Sequence, residues 1–117
     1  MPVAKMELQA LLAGLRSHHR LYLLDDRFAS LVSLLDGYDI AKDNKALRGF
    51  QHWLAERFEK SRSSGYSWPA LVARQVVPGV LTGELRFDQI PATYDRQLRE
   101  TVISLIEEFL LVVHSVE

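Results

Sequence analysis

The stretch YDRQLRETVISLIEEFLLVVHSV, residues 94–116, decides the fold class of this chain. Its apolar residues recur at steps of 4, 4, 3, 4, 3 and 4, the spacing that places side chains on one face of an α-helix. They are Tyr94, Leu98, Val102, Leu105, Phe109, Val112 and Val116, with Ile106 and Val113 widening the face. We therefore predict a long C-terminal helix that starts at Pro91 and crosses the core.

The same spacing predicts four shorter helices upstream. We expect them over residues 3–17, from 25 or 26 to about 42, from 43 or 44 to about 60, and from 69 to about 76. Asp25 or Asp26 would cap the second helix and Asp43 or Asn44 the third, because their side-chain oxygens accept hydrogen bonds from first-turn amides. The predicted fold is all-α, a single domain over residues 1–117 with about five helices.

Two segments leave alternatives open. Residues 18–24 fit either a helical turn or an extended connector. Residues 80–87 alternate only partly between apolar and polar side chains, so we assign them to a loop, with a short strand as the alternative.

Composition excludes several classes of protein. The 117 residues include 14 Lys and Arg against 15 Asp and Glu, so the formal net charge of −1 supplies no field that attracts nucleic acid or an acidic membrane. The absence of cysteine excludes disulfides, thiolate metal sites and a cysteine nucleophile. We find neither a signal peptide nor a stretch of about 20 apolar residues, so we expect a cytoplasmic protein.

No motif of catalysis or cofactor binding is present in the sequence. His18 and His19 are adjacent and diverge on a helix, while His52 and His114 have no partner at metal-binding spacing. The sequence has no glycine-rich phosphate loop and no Gly-x-Ser-x-Gly elbow. We therefore predict no metal, no cofactor and no enzymatic activity.

Five residues are candidates for binding a protein partner. Asp36, Asp39 and Asp43 share a face if the second helix continues to Lys42, and they form either an acidic docking strip or a solvated face tempered by Lys42 and Lys45. Tyr66 and Trp68 stand before the fourth helix. They are either interface anchors, or Trp68 packs against its own helix and only Tyr66 is exposed.

Four segments together resemble a family of small bacterial proteins. The segments are RLYL at 20–23, LDGYDIA at 35–41, LRGFQHWLAER at 47–57 and SWPALV at 67–72. They are similar to the pattern R-x-M-Y-L-G, G-Y-x-x-A, G-F-x-x-W-L-x-x-R, W-x-x-L-V of proteins that look like the immunity proteins accompanying secreted polymorphic toxins. Leu21 replaces the methionine of that pattern and Leu24 replaces its glycine, so the turn there is expected to differ.

The resemblance implies an immunity protein that occludes the active site of one cognate toxin. Asp36, Asp39 and Asp43 would steer a basic toxin, such as a nuclease, and Tyr66 and Trp68 would anchor the contact. It carries no catalytic residue across, since the recurring positions are mostly apolar or small. The alternative is a structural or regulatory module that homodimerises, because Phe109 to Val113 is apolar on nearly every side of the predicted helix.

Overall fold

The computed structural model describes residues 3–59, 66–78 and 89–116. Its α-helices are α1 (Val3–His18), α2 (Phe28–Ala41), α3 (Phe50–Glu59), α4 (Trp68–Val76) and α5 (Asp95–Val116). Short 3₁₀ turns cover His19–Leu21 and Ala92–Tyr94. No strand occurs among the described residues, and the predicted all-α class is confirmed.

Helix α5 is the central element of the fold. It packs against all four other helices, and its buried apolar side chains are Leu98, Val102, Ile103, Leu105, Ile106, Phe109 and Leu110. The predicted apolar face is therefore confirmed from Leu98 to Phe109, while Val112 is partly exposed. The helix starts at Asp95, later than predicted, because Pro91 leads into the 3₁₀ turn instead of the α-helix.

Aromatic side chains fill the space where α3, α4 and α5 meet. The ring of Phe50 is fully buried, with centroid distances of 5.6 Å to Trp68 and 5.4 Å to Phe109. Trp53 lies 5.7 Å from Phe109, in a tilted arrangement. Tilted and edge-on ring pairs of this kind are favourable beyond the apolar area that they bury.

The connection from α1 to α2 begins with the 3₁₀ turn at His19–Leu21 and continues without helix to Arg27, so the first open segment is helical only in its first part. Leu8, Leu12 and Leu15 bury one face of α1 against the core, and the chain then tightens into the 3₁₀ turn at His19. Residues 80–87, the second open segment, lie outside the described residues.

The predicted caps of α2 and α3 are wrong. Arg27 occupies the N-cap position of α2 without capping through its side chain, and the first amide of that helix, on Phe28, donates to Asp95 of α5 instead. Asp43 and Asn44 do not cap α3, which begins at Phe50. A helix 67 positions away along the chain thus supplies the cap that local spacing assigned to Asp25 or Asp26.

Residues 42–49 form successive turns because side-chain and backbone bonds there compete with helix formation. Asp43 and Asn44 have left-handed φ values of 59° and 60°. The carboxylate of Asp39 accepts a 2.8 Å hydrogen bond from the backbone N–H of Leu47. Asp and Asn favour such bonds over helix interiors, so the helix that their spacing predicted starts six residues beyond Asn44.

We found no helix among the described residues that is both long and apolar enough to cross a membrane.

Two glycines should respond in opposite ways to alanine. Gly37 lies inside α2 with open space where a Cβ would stand, so Gly37→Ala should raise the free energy of unfolding by about 1 kcal/mol. Gly49 has room as well but a φ of +88°, so Gly49→Ala should lower that free energy by about 1–2 kcal/mol. Urea unfolding of both variants measures the two effects; a destabilised Gly37→Ala would contradict the continuous helix.

Candidate functional site

The structure places only part of the predicted acidic strip on α2. Asp36 and Asp39 lie on the helix, and Ile40, which is 68% exposed, lies one turn after Asp36. Asp43 follows in the turn beyond Ala41, the last residue of the helix, with a left-handed φ, so it does not continue the helical face. No described basic side chain forms an ion pair with Asp36 or Asp43. We call Asp36, Asp39, Ile40 and Asp43 the acidic face.

Asp39 has a structural role within the acidic face. Its side chain is half-buried, and its Oδ1 accepts from Leu47, while its backbone oxygen accepts a 2.8 Å bond from the N–H of Asn44. These bonds hold the turn that presents Asp43. Asp36 and Asp43 are therefore the carboxylates that remain free to meet a partner.

Lys42 is directed away from the acidic face. Its ammonium pairs with Glu7 of α1 and lies 5.6 Å from the ring centroid of Tyr38. The hydrogen bond to Glu7 is the main cause that raises the pKa of Lys42 above its ordinary value. Of the two lysines expected to temper the strip, only Lys45 is left, exposed in the turn that follows.

Tyr66 and Trp68 lie in different environments. Trp68 is only 9% exposed and packs edge-on against Phe50, so it belongs to the core and presents no anchor to a partner. Tyr66 is 44% exposed, and its backbone oxygen accepts a 2.8 Å bond from the side chain of Gln51. Tyr66 thus remains accessible as an anchor on a loop that is held against α3.

A second exposed apolar group lies near the end of α5. Leu111 is 68% exposed, and Val112 and Val113 are also exposed, although Phe109 and Leu110 just before them are buried. This is the surface that a homodimer through the C-terminal helix would require.

Sequence reasoning missed a polar cleft of about 630 Å³ at the start of α5. The end of α1, the α1–α2 connection and the first turns of α5 enclose it, and five arginines line it: Arg16, Arg20, Arg27, Arg96 and Arg99. We call it the arginine cleft. Its residues come from segments about 80 positions apart, and only the folded chain brings them together, so no local spacing reveals it.

A buried carboxylate forms the inner wall of this cleft. Asp95 is only 4% exposed. Its Oδ1 accepts a 3.1 Å bond from the N–H of Phe28, and its Oδ2 lies 3.6 Å from the guanidinium of Arg27. Arg27 also donates a 2.7 Å bond to the backbone oxygen of Ile90. One oxygen of Asp95 is thus hydrogen-bonded and the other faces the positive charge of Arg27, which together offset the cost of burying the carboxylate.

The rim of the cleft is held by further polar contacts. Asp25 accepts from the hydroxyl of Ser30 at 2.6 Å and from the N–H of Arg27 at 2.9 Å. The bond from Ser30, followed by that from Arg27, lowers the pKa of Asp25 below its ordinary value. His19 lies 2.9 Å from Asp26. No group of three or more histidine and acidic side chains within the described residues is arranged to hold a metal ion.

Comparison with known proteins adds no relative: no protein-family model matches the chain, and neither a curated protein nor a solved structure does.

Removing the buried carboxylate should weaken the whole fold. Asp95→Ala removes the acceptor of the Phe28 amide and the negative charge beside Arg27, so it should lower the free energy of unfolding by about 2 kcal/mol. Asp95→Asn keeps an oxygen that can accept from Phe28 and should cost less. Asp36→Ala, at an exposed carboxylate without a described partner, is the control and should change stability little. Urea denaturation compares the three; equal stability of Asp95→Ala and wild type would refute the cap.

Proposed function

We propose that this protein is a cytoplasmic immunity protein that binds a cognate bacterial toxin domain and occludes its active site. The observation that carries the proposal is the acidic face: Ile40 is exposed, and the carboxylates of Asp36, one turn before it, and Asp43, three residues after it, have no described partner. The four-segment resemblance to immunity-type proteins supports the same function.

The acidic face has the composition of a small protein-binding surface. An apolar side chain that loses its water on binding supplies affinity, and polar residues around it exclude solvent from the contact. The surrounding carboxylates would attract a basic partner and raise the association rate. A toxin that acts on nucleic acid presents such a basic surface at its active site, because it must bind phosphates.

The position of Lys42 supports a role for this charge in binding. Pairing with Glu7 removes the nearest cation from the acidic face, so Asp36 and Asp43 keep their negative potential toward solvent. Tyr66 is proposed as a second anchor. Trp68 contributes only by holding α4 against Phe50.

Reversing the charge of the acidic face should change the rate of association with the toxin without changing the fold. Asp36→Lys with Asp43→Lys should slow association with the toxin domain by on the order of ten-fold at low salt, with a smaller effect at high salt. Asp39 is left unchanged because it holds Leu47. The partner used is the C-terminal domain of the secreted protein encoded by the adjacent upstream gene, with association followed by stopped-flow fluorescence.

The same toxin domain tests the function itself. Co-expression should restore growth and yield a one-to-one complex, and Ile40→Lys should abolish both. Leu111→Lys is the matched control, since Leu111 is also 68% exposed but lies on α5, outside the acidic face. If wild type neither rescues growth nor co-purifies, that toxin is not its target; if rescue survives Ile40→Lys and the double reversal, the acidic face is not the interface.

A homodimeric module is the second candidate function, favoured by exposed Leu111, Val112 and Val113. The measurement is light scattering over a concentration series. A dimer that Leu111→Lys converts to monomer and Ile40→Lys leaves intact would support it. A monomer at all concentrations would exclude it.

A further inference from the structure

The arginine cleft is independent of the acidic face. It lies at the start of α2 and α5, whereas Asp36 and Asp43 lie toward the end of α2 and beyond it. Its volume of about 630 Å³ falls within the range of about 300–1,000 Å³ that is typical of sites for small molecules.

Internal contacts already occupy the carboxylates of the cleft. Asp95 is bound by Phe28 and Arg27. Asp26 lies between His19 and Arg20, at 2.9 and 3.8 Å, and Glu100 accepts a 3.3 Å bond from Arg96. Asp25, the fourth carboxylate, accepts hydrogen bonds from the hydroxyl of Ser30 and the backbone N–H of Arg27. None of the four acids forms an ion pair with Arg99.

Among the five arginines that line the cleft, Arg99 is the one without an ion pair to a described carboxylate. It lines the cleft and is partly buried, yet no described residue forms an ion pair or a hydrogen bond with its side chain. By contrast, each of the four acidic residues of α5 has a basic partner. The pairs are Asp95 with Arg27, Glu100 with Arg96, Glu107 with Arg16 and Glu108 with Arg57.

The chemistry of Arg99 defines what would bind there. A guanidinium remains charged at any physiological pH and presents a planar fork of N–H donors that matches two oxygens of a carboxylate or a phosphate. Arg16 adds a second source of donors, because its Nη2 bonds only the neutral hydroxyl of Ser104, at 3.2 Å. Partial enclosure strengthens such contacts relative to open water.

We propose that the arginine cleft binds a small anionic molecule through a phosphate or carboxylate group that pairs with Arg99. The shared chemistry is a pair of anionic oxygens facing the guanidinium fork. The paired acids of the cleft hold the neighbouring arginines Arg20, Arg27 and Arg96 in place.

Calorimetric titration of the whole protein with pyrophosphate and with citrate tests the site, each against potassium chloride at equal ionic strength. At least one of the two should bind saturably with a stoichiometry of one. Arg99→Gln should weaken that binding about ten-fold or more, as expected for the loss of a charge-assisted hydrogen bond. Arg48→Gln is the matched control, because Arg48 is an exposed arginine without a described partner, in the turn before α3. It should bind like wild type.

Each outcome of the titrations either identifies the class of anion or overturns the proposal. Saturable binding of pyrophosphate alone identifies a phosphate ligand, binding of citrate alone identifies a carboxylate ligand, and binding of both supports the shared anion chemistry. No saturable binding of either probe overturns the proposal. So does equal weakening by Arg99→Gln and Arg48→Gln, which would show only general attraction between charges. Unfolding midpoints without ligand should be the same for all three proteins, since neither arginine has a described partner to lose.

Discussion

The carboxylate of Asp95 is the constraint on which the arrangement of the helices depends. Burying an unpaired charge costs several kcal/mol. Asp95 is stabilised in its buried position by the hydrogen bond from Phe28 to Oδ1 and by the guanidinium of Arg27, 3.6 Å from Oδ2. Those partners stand at the start of α2, and Asp95 stands at the start of α5. The N-terminal ends of the two helices are thereby joined. Arg27 extends this connection to Ile90 by a hydrogen bond to its backbone oxygen. An apolar contact would have allowed one helix to shift relative to the other. The polar contacts are directional and fix the relative position of the two helix starts.

Apolar burial along α5 then adds stabilisation and connects the helices. Seven of its side chains are buried, and each contributes roughly 1.5–3 kcal/mol on removal from water. Because α5 contacts every other helix, this burial also determines where those helices lie. The aromatic cluster of Phe50, Trp68 and Phe109 joins α3, α4 and α5. The polar contacts at the start of α5 orient it relative to α2, and the apolar contacts along α5 contribute to the free energy of folding.

Periodicity predicts the elements whose formation depends on one buried face. This holds for α5 from Leu98 to Phe109, for α1, and for the extent of α2 to Ala41. It fails where a contact between distant residues decides: Asp95 replaces the local cap of α2, and Asp39 holds Leu47 in a turn where a helix was expected. The two candidate sites differ in the same respect, in whether local spacing or tertiary contact brings their residues together. The acidic residues of α2 share a face because a helix places them there, whereas the arginine cleft exists only after α1 and α5 have packed. Trp68 was open to two interpretations, and contact with Phe50 places it in the core.

The distribution of charge along α2 connects the two proposed sites. A helix carries partial positive charge at its N-terminus and partial negative charge at its C-terminus, so acidic residues near the C-terminus are locally unfavourable, by about 0.3–1 kcal/mol each. The last turn of α2 nevertheless contains Asp39 and no basic residue, and Asp43 follows. Asp39 is compensated by its bond to Leu47, but no described contact compensates Asp43. The carboxylate of Asp43 therefore lies in an unfavourable position with no partner in the fold. We interpret it as a contact for a partner outside the fold. The arginine cleft shows the converse at the start of the same helix, where Asp95 satisfies the dipole internally and Arg99 is left to face solvent. The side chains without an ion pair thus differ between the two ends of α2: they are the carboxylates of Asp36 and Asp43 toward its C-terminus, and the guanidinium of Arg99 lies in the cleft near its N-terminus.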